Sequence, residues 1–216
     1  NIRNATQTFK TFFFFILSTN WKKYLQPLLL AIPILFYVLL FNKVFSIKDP
    51  AYILKNEEAY KKLGLLRWED GKNHVLPQDF ADMLGWKELA QKVDLETNKL
   101  PNKNQILILC DNYGQAGAIN YYTNNKNIKA VSFNADYIDW INLSTPIQHF
   151  IRVKEADNYK EELTKTSPFF ETSFVADSIT NTLAREYRTT IFVFSNPTID
   201  VNKRLKMEID KRKTNH

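Results

Sequence analysis

The sequence is poor in the residues that most often anchor redox, metal and phosphate chemistry. Cys110 is the only cysteine, which excludes an intrachain disulfide and a cysteine-based metal cluster. The three histidines, His74, His149 and His216, are far apart and show no ligand spacing, so no metal site and no cofactor are expected. Glycine is scarce: only five are present, and two of them, Gly114 and Gly117, form a bare G-x-x-G. That is neither the dinucleotide fingerprint nor a Walker loop, since no Lys-Ser/Thr follows. Acidic residues are missing from the first 48 positions, which carry Arg3, Lys10, Lys22, Lys23, Lys43 and Lys48. Those charges account for the whole formal excess of +6 and leave residues 49–216 neutral. A nucleic-acid partner, which needs a basic face on the folded domain, is therefore not expected. An initiator Met is also missing: the chain opens "NIRNATQTFKTFFFF", as expected for a piece of a longer polypeptide.

The segment that holds the charge excess is also apolar. "LQPLLLAIPILFYVLLFNKVF", from Leu25, has no strongly polar side chain between Pro27 and Phe41. At 1.5 Å per residue, residues 25–41 reach about 26 Å as a helix, against a hydrocarbon core of about 30 Å. Pro27 and Pro33 are tolerated better in a membrane helix than in a soluble one, and Trp21 and Tyr24 stand where an aromatic belt would lie. A transmembrane helix is expected over 25–46. Residues 1–24, with "FKTFFFFILS", are expected to hold the end of a preceding membrane helix and a loop. Four positive charges precede the span and two follow it, which places residues 1–24 on the cytoplasmic side. Residues 47–216 then form a soluble extracytoplasmic domain at a bacterial inner membrane, with the lipid bilayer as partner.

Past Pro50 the pattern is that of an α/β domain. "PAYILKNEEAYKKLGLL" is an amphipathic helix ending near Gly64. "DFADMLGWKELAQKVDLETNKL" is a second, with Asp79 at its start and an apolar stripe through Phe80, Met83, Leu84, Leu89 and Val93. "QILILC" (105–110) is a continuous apolar run, as in a strand buried on both faces. A helix over 115–124, strands over 129–134 and 149–155, a short helix in "DNYKEELTKT" and strands over 169–179 and 188–197 follow. A charged helix capped by Asp200 ends the chain. This alternation predicts a mostly parallel or mixed sheet with helices on its faces. The last two strands have no clear helix between them and suit antiparallel pairing.

Two stretches carry the polar residues a ligand would need. "CDNYGQAGAINYY" joins a strand to a helix, where unpaired N–H groups and the helix dipole favour an anion. There Asp111 or Asn112 suits a sugar hydroxyl and Tyr113 a sugar ring, with Gly114, Gln115 and Gly117 alongside. The competing reading is structural: Gly114 supplies a positive φ in the turn, and Gly117 lets the helix pack closely on the sheet. "SFNADYIDW" follows the next strand, and its Asn134 and Asp136 would line the same crevice. Acidic residues at that position also serve as helix caps. No Ser-His-Asp or Cys-His arrangement is legible, and no catalytic residue is assigned.

Two of these motifs together resemble a known family. Phe80-Ala81-Asp82-Met83 with Gly85-Trp86, then Asn112-Tyr113-Gly114 and Ala116-Gly117-Ala118, are similar to the C-terminal soluble portion of bacterial glycosyltransferase family 39. These ArnT-like membrane enzymes are related to dolichyl-phosphate-mannose protein mannosyltransferases. The likeness covers roughly residues 20–155, with the apolar run at the family's last membrane helix. "SFNADYIDW" departs from the family's G-H-N and Trp-rich continuation. The resemblance implies a polyprenyl-phosphate-linked sugar donor, a lipid or protein acceptor, and a catalytic carboxylate in an upstream loop that these 216 residues do not include. The alternative, from the residues alone, is a membrane-anchored module that binds a sugar or anion without catalysis.

Overall fold

A computed structural model describes residues 22–45, 47–155 and 159–214. The chain divides into two compact units, Asn1–Phe80 and Ala81–His216, which are taken in turn. The expected partial membrane helix over residues 1–24 lies almost wholly outside the described residues.

In the first unit, helix α1 (Lys22–Val44) contains both Pro27 and Pro33. Its apolar side chains are largely exposed: Leu30, Phe36 and Leu39 are 66%, 63% and 64% exposed. Among the described residues, no helix is long and apolar enough to cross a membrane, so the span expected over 25–46 is not supported at that level. The next expected helix is two short ones, α2 (Pro50–Lys55) and α3 (Glu57–Lys62). Asp49 caps α2 by accepting from the Ala51 N–H (2.7 Å), with Pro50 at its first position. Asn56, at φ −112°, separates the two helices, and Gly64 follows at φ 71°. Ile53, Tyr60, Leu66 and Leu76 are buried.

Helix α4 (Gln78–Ala81) is a single turn. The long helix expected from Asp79 breaks at Gly85, whose φ of 86° only glycine adopts without strain. A Cβ there would stand 3.1 Å from Ala184 Cβ and 3.2 Å from Ile179 Cγ2, so the position demands glycine on two counts. Helix α5 (Trp86–Lys99) starts after it and stops before Pro101, which disfavours the helical conformation at Leu100.

The second unit is built on a mixed five-stranded sheet with helices on its faces. Its strands are β1 (Ile106–Cys110), β2 (Ala130–Ser132), β3 (His149–Lys154), β4 (Phe170–Ser178) and β5 (Thr190–Pro197). The order is β2-β1-β3-β5-β4. β1 runs parallel to β2 and to β3; β5 is antiparallel to β3 and to β4, as the missing helix between the last two strands suggested. Helices α6 (Tyr113–Tyr122), α7 (Tyr159–Thr166) and α8 (Val201–Thr214) complete the unit. Asp200 caps α8, accepting from the Lys203 N–H at 2.9 Å.

Strand alternation divides the core in two. Ile108, Cys110, Ile151, Val153, Ile191 and Val193 face Leu89 and Val93 of α5 and Ala116 and Ile119 of α6. Leu107, Leu109, Phe150, Phe192 and Phe194 face the other way, toward Val201 and Leu205 of α8. Burying such a side chain contributes roughly 1.5–3 kcal/mol, so the two-sided apolar runs of β1, β3 and β5 hold the sheet at the centre.

Candidate functional site

The chain passes from β1 through α6 to β2 on one side of β1, and then returns to lay β3 on the other. A crevice opens outside the carboxyl ends of parallel strands where the order reverses in this way. Here it is a cleft of about 560 Å³ lined by Asp82, Trp86, Asn112, Glu155, Arg185, Glu186, Tyr187 and Thr189. Asn112 follows β1, Glu155 follows β3, and residues 185–189 lead into antiparallel β5, so all arrive at one end of the sheet.

The wall is a connected polar network. Asn112 Oδ1 accepts from the Gln115 N–H (2.9 Å) and so caps α6, while its Nδ2 donates to Glu155 Oε1 (2.9 Å). Gln115 is fully buried; its Nε2 donates to Glu186 Oε2 (2.8 Å), and its Oε1 accepts from the Asp111 N–H (3.1 Å). Thr189 Oγ1 donates to the same Glu186 oxygen at 2.9 Å. The Arg185 Nη1 lies 3.2 Å from both Asp82 carboxylate oxygens. The Trp86 indole N–H donates to the Asp82 carbonyl, which turns its ring against the first turn of α6. A Cβ on Gly114 would reach to 3.7 Å from Trp86 Cη2 and 3.2 Å from Asn112 Oδ1.

These contacts settle the role of the glycines. Gly114 is not at positive φ; in the second unit that conformation among glycines belongs to Gly85. The turn into α6 is made by the Asn112 cap, and Gly114 is small because Asn112 and Trp86 leave little room. Gly117 accommodates the Tyr137 hydroxyl, 3.1 Å from where its Cβ would be, rather than the sheet.

The remaining sequence candidates are dispersed. Asp111 turns to the other face of the sheet. It pairs with Arg152 and with Lys154 (3.1 Å), near Glu162, which lies 3.8 Å from each of these cations. Tyr113 is exposed on α6. Asn134 and Asp136 are exposed beside a 3-10 turn over Ala135–Trp140, on the far side of β1 from the cleft, and do not line it. Their stretch meets Asp111 through Ser132, whose hydroxyl donates to the Asp111 carbonyl (3.3 Å) and accepts from the Asn134 N–H (3.1 Å). Asp139 is engaged by Lys213.

Sequence reasoning missed Glu155, Arg185, Glu186, Tyr187 and Thr189 as site residues. No local pattern marks them; only their place at strand ends at the reversal point does. Asp82 and Trp86 stood within a motif already singled out.

Three carboxylates against one guanidinium make the cleft acidic, and the Asn112 side chain already occupies the helix N–H that an anion would use. Carboxylate and amide acceptors beside the indole of Trp86 suit a polyhydroxyl ligand: hydroxyls donate to the acceptors while C–H groups lie on the aromatic face. No group of three His, Cys, Asp or Glu side chains among the described residues is placed to hold a metal ion. His149 Nδ1 and Ser195 Oγ are 2.9 Å apart, but they form a buried cross-strand pair. Burial, then Lys103, lowers the His149 pKa. No family model, no curated protein and no solved structure matches the chain.

Proposed function

We propose that this chain is the C-terminal part of an integral-membrane glycosyltransferase of the family 39 type, which moves a sugar from a polyprenyl-phosphate donor to a lipid or protein acceptor. In this reading the chain supplies a membrane anchor and an extracytoplasmic sugar-binding domain, and the catalytic loop lies upstream. One observation carries it. The two motifs behind the family resemblance, about thirty residues apart in sequence, meet in a single cleft at the reversal point of the sheet through Asp82, Trp86 and Asn112.

The exposed apolar surface of α1 supports the anchor. Leu30, Phe36 and Leu39 are exposed, and contiguous exposed apolar surface of this kind marks a site that meets a membrane or a partner. The charge asymmetry around residues 25–46 favours an α/β domain outside the cytoplasm of a bacterial inner membrane. The test is the coding sequence upstream of Asn1. Further membrane helices with a carboxylate in their first extramembrane loop are expected, and an open reading frame that starts at or just before Asn1 contradicts the reading.

A second reading, an anchored sugar-binding module without catalysis, is favoured by the acidic, hydroxyl-accepting cleft itself. It predicts that the 216-residue chain alone supports the whole biological role. In both readings Gly114→Val displaces the Asn112 cap and abolishes sugar binding.

A further inference from the structure

On the face of the sheet opposite α5 and α6, the strand side chains are buried, yet the helices leave a groove between them. A groove of about 750 Å³ runs between α7, the turn Ser167–Phe169 and α8. That is within the roughly 300–1,000 Å³ of small-molecule sites. Its floor is Leu109, Phe150 and Phe170, and its walls include Phe169, Leu205 and Met207. Arg204 stacks its guanidinium on the Phe169 ring at 3.9 Å and so stiffens one wall.

The charges around the groove are unevenly satisfied. All three acidic residues are engaged. Glu162 accepts from Thr166 Oγ1 (2.6 Å) and lies 3.8 Å from Arg152 and from Lys154. Asp200 caps α8, and Glu208 holds Arg212 at 2.6 Å. Lys203 and Lys211 stand two turns apart on α8, and among the described residues neither ammonium group has a carboxylate partner. An occupant therefore meets an apolar aromatic trough and a positive rim. Phe150 and Phe170 are themselves mostly buried, so the apolar surface an occupant would cover is chiefly that of Phe169, Ile199 and Met207; an apolar chain with one anionic end covers it and meets the lysines.

We propose that this groove binds a long-chain fatty-acid anion, with the chain along Phe169, Ile199 and Met207 and the carboxylate at Lys203 and Lys211. The site is separate from the Trp86 cleft and shares with the proposed function only the membrane anchor that the test uses.

The test uses the full chain in bilayer nanodiscs with a hexadecanoic acid bearing a mid-chain diazirine, followed by irradiation and peptide mapping. Saturable labelling of the peptides covering 165–170 and 199–211 is expected. Unlabelled hexadecanoate should suppress it about tenfold more effectively than hexadecanol. Met207→Trp, which fills the mouth of the groove, should remove the labelling. The double variant Lys203→Gln/Lys211→Gln, at exposed positions that leave the fold intact, should abolish the preference for the acid over the alcohol. Labelling confined to residues 22–44, labelling that does not saturate, or an acid preference that survives the double variant overturns the proposal. If Met207→Trp fails to fold by circular dichroism, the lysine variant decides.

Discussion

The two faces of the sheet are made by the same strands and closed in different ways. Beneath α5 and α6 the core is sealed, and polar straps hold the helices at its margin. Lys92 Nζ reaches Asp177 Oδ1 (2.9 Å) and the Ser178 carbonyl (2.7 Å), and Glu88 accepts from the Thr180 N–H (2.8 Å) and hydroxyl (2.6 Å). Asp94 accepts from the Thr123 hydroxyl and the Asn124 N–H, which ties the second half of α5 to the end of α6. Beneath α7 and α8 the aromatic side chains are buried as well, but a groove remains between the helices. There α8 is fixed near its start, where Asn202 donates to the Leu143 and Thr145 carbonyls (3.0 and 2.8 Å), and near its end, where Lys213 meets Asp139. The closed face holds the fold and presents the Trp86 cleft at its rim; the open face leaves room for a ligand.

If this contrast is real, truncations on the two faces will differ most. Ile151→Ala, at a fully buried position of central β3 on the sealed face, should cost about 4 kcal/mol by denaturant unfolding. A cost near 1 kcal/mol would mean that this face is not tightly packed. Gly85→Ala combines a left-handed backbone with crowding against Ala184 and Ile179, and should cost about 2 kcal/mol in the same assay.

The third effect appears with pH. Burial opposes ionisation of Glu88, but hydrogen bonds from Thr180 and Lys92 outweigh it and bring the carboxyl down to about 2. Because the folded-state value is depressed, the stabilisation is present above the ordinary 4.5 and is lost as pH falls toward 2. Glu88→Gln should therefore flatten stability against pH in that window, read from thermal midpoints; an unchanged slope would remove Glu88 from the strap. The smallest effect belongs to the open face. Met207→Ala, at an exposed groove wall, should shift stability by no more than about 0.5 kcal/mol. A larger loss would show that the groove is part of the core.

What the sequence reveals follows the range of the interaction. The continuous apolar runs of β1, β3 and β5 mark strands covered on both faces, and they stand where the runs stand, because burial on both sides leaves a local imprint. The breaks at Asn56 and Gly85 were hidden inside plausible helical patterns. There a single residue's φ decides, and the apolar spacing on either side continues regardless. Around the site, Asn112 is legible as a polar residue at a strand-to-helix turn. Its partner Glu155 stands 43 positions on, and the Gln115–Glu186 bond spans 71, so neither leaves a local signal. Asp111 looked like a ligand group for the same reason: its partners Arg152 and Lys154 come from a strand that only the sheet topology brings alongside. Asn134 and Asp136 were grouped with it because both stretches follow strands; the ends of β1 and β2 do adjoin through Ser132, but the Asp111 side chain turns to Arg152 and Lys154 of β3, and the cleft lies on the β3 side of β1, away from β2.

The most direct test of the sugar-binding cleft is saturation-transfer NMR on the full chain in nanodiscs with a panel of free hexoses and pentoses. Transfer to at least one sugar is expected, weakened by Glu155→Gln and lost in Trp86→Phe/Glu186→Gln, with Met207→Ala leaving it unchanged. Transfer to no sugar, or transfer indifferent to the Glu155 and Trp86/Glu186 variants, would contradict the assignment of the cleft.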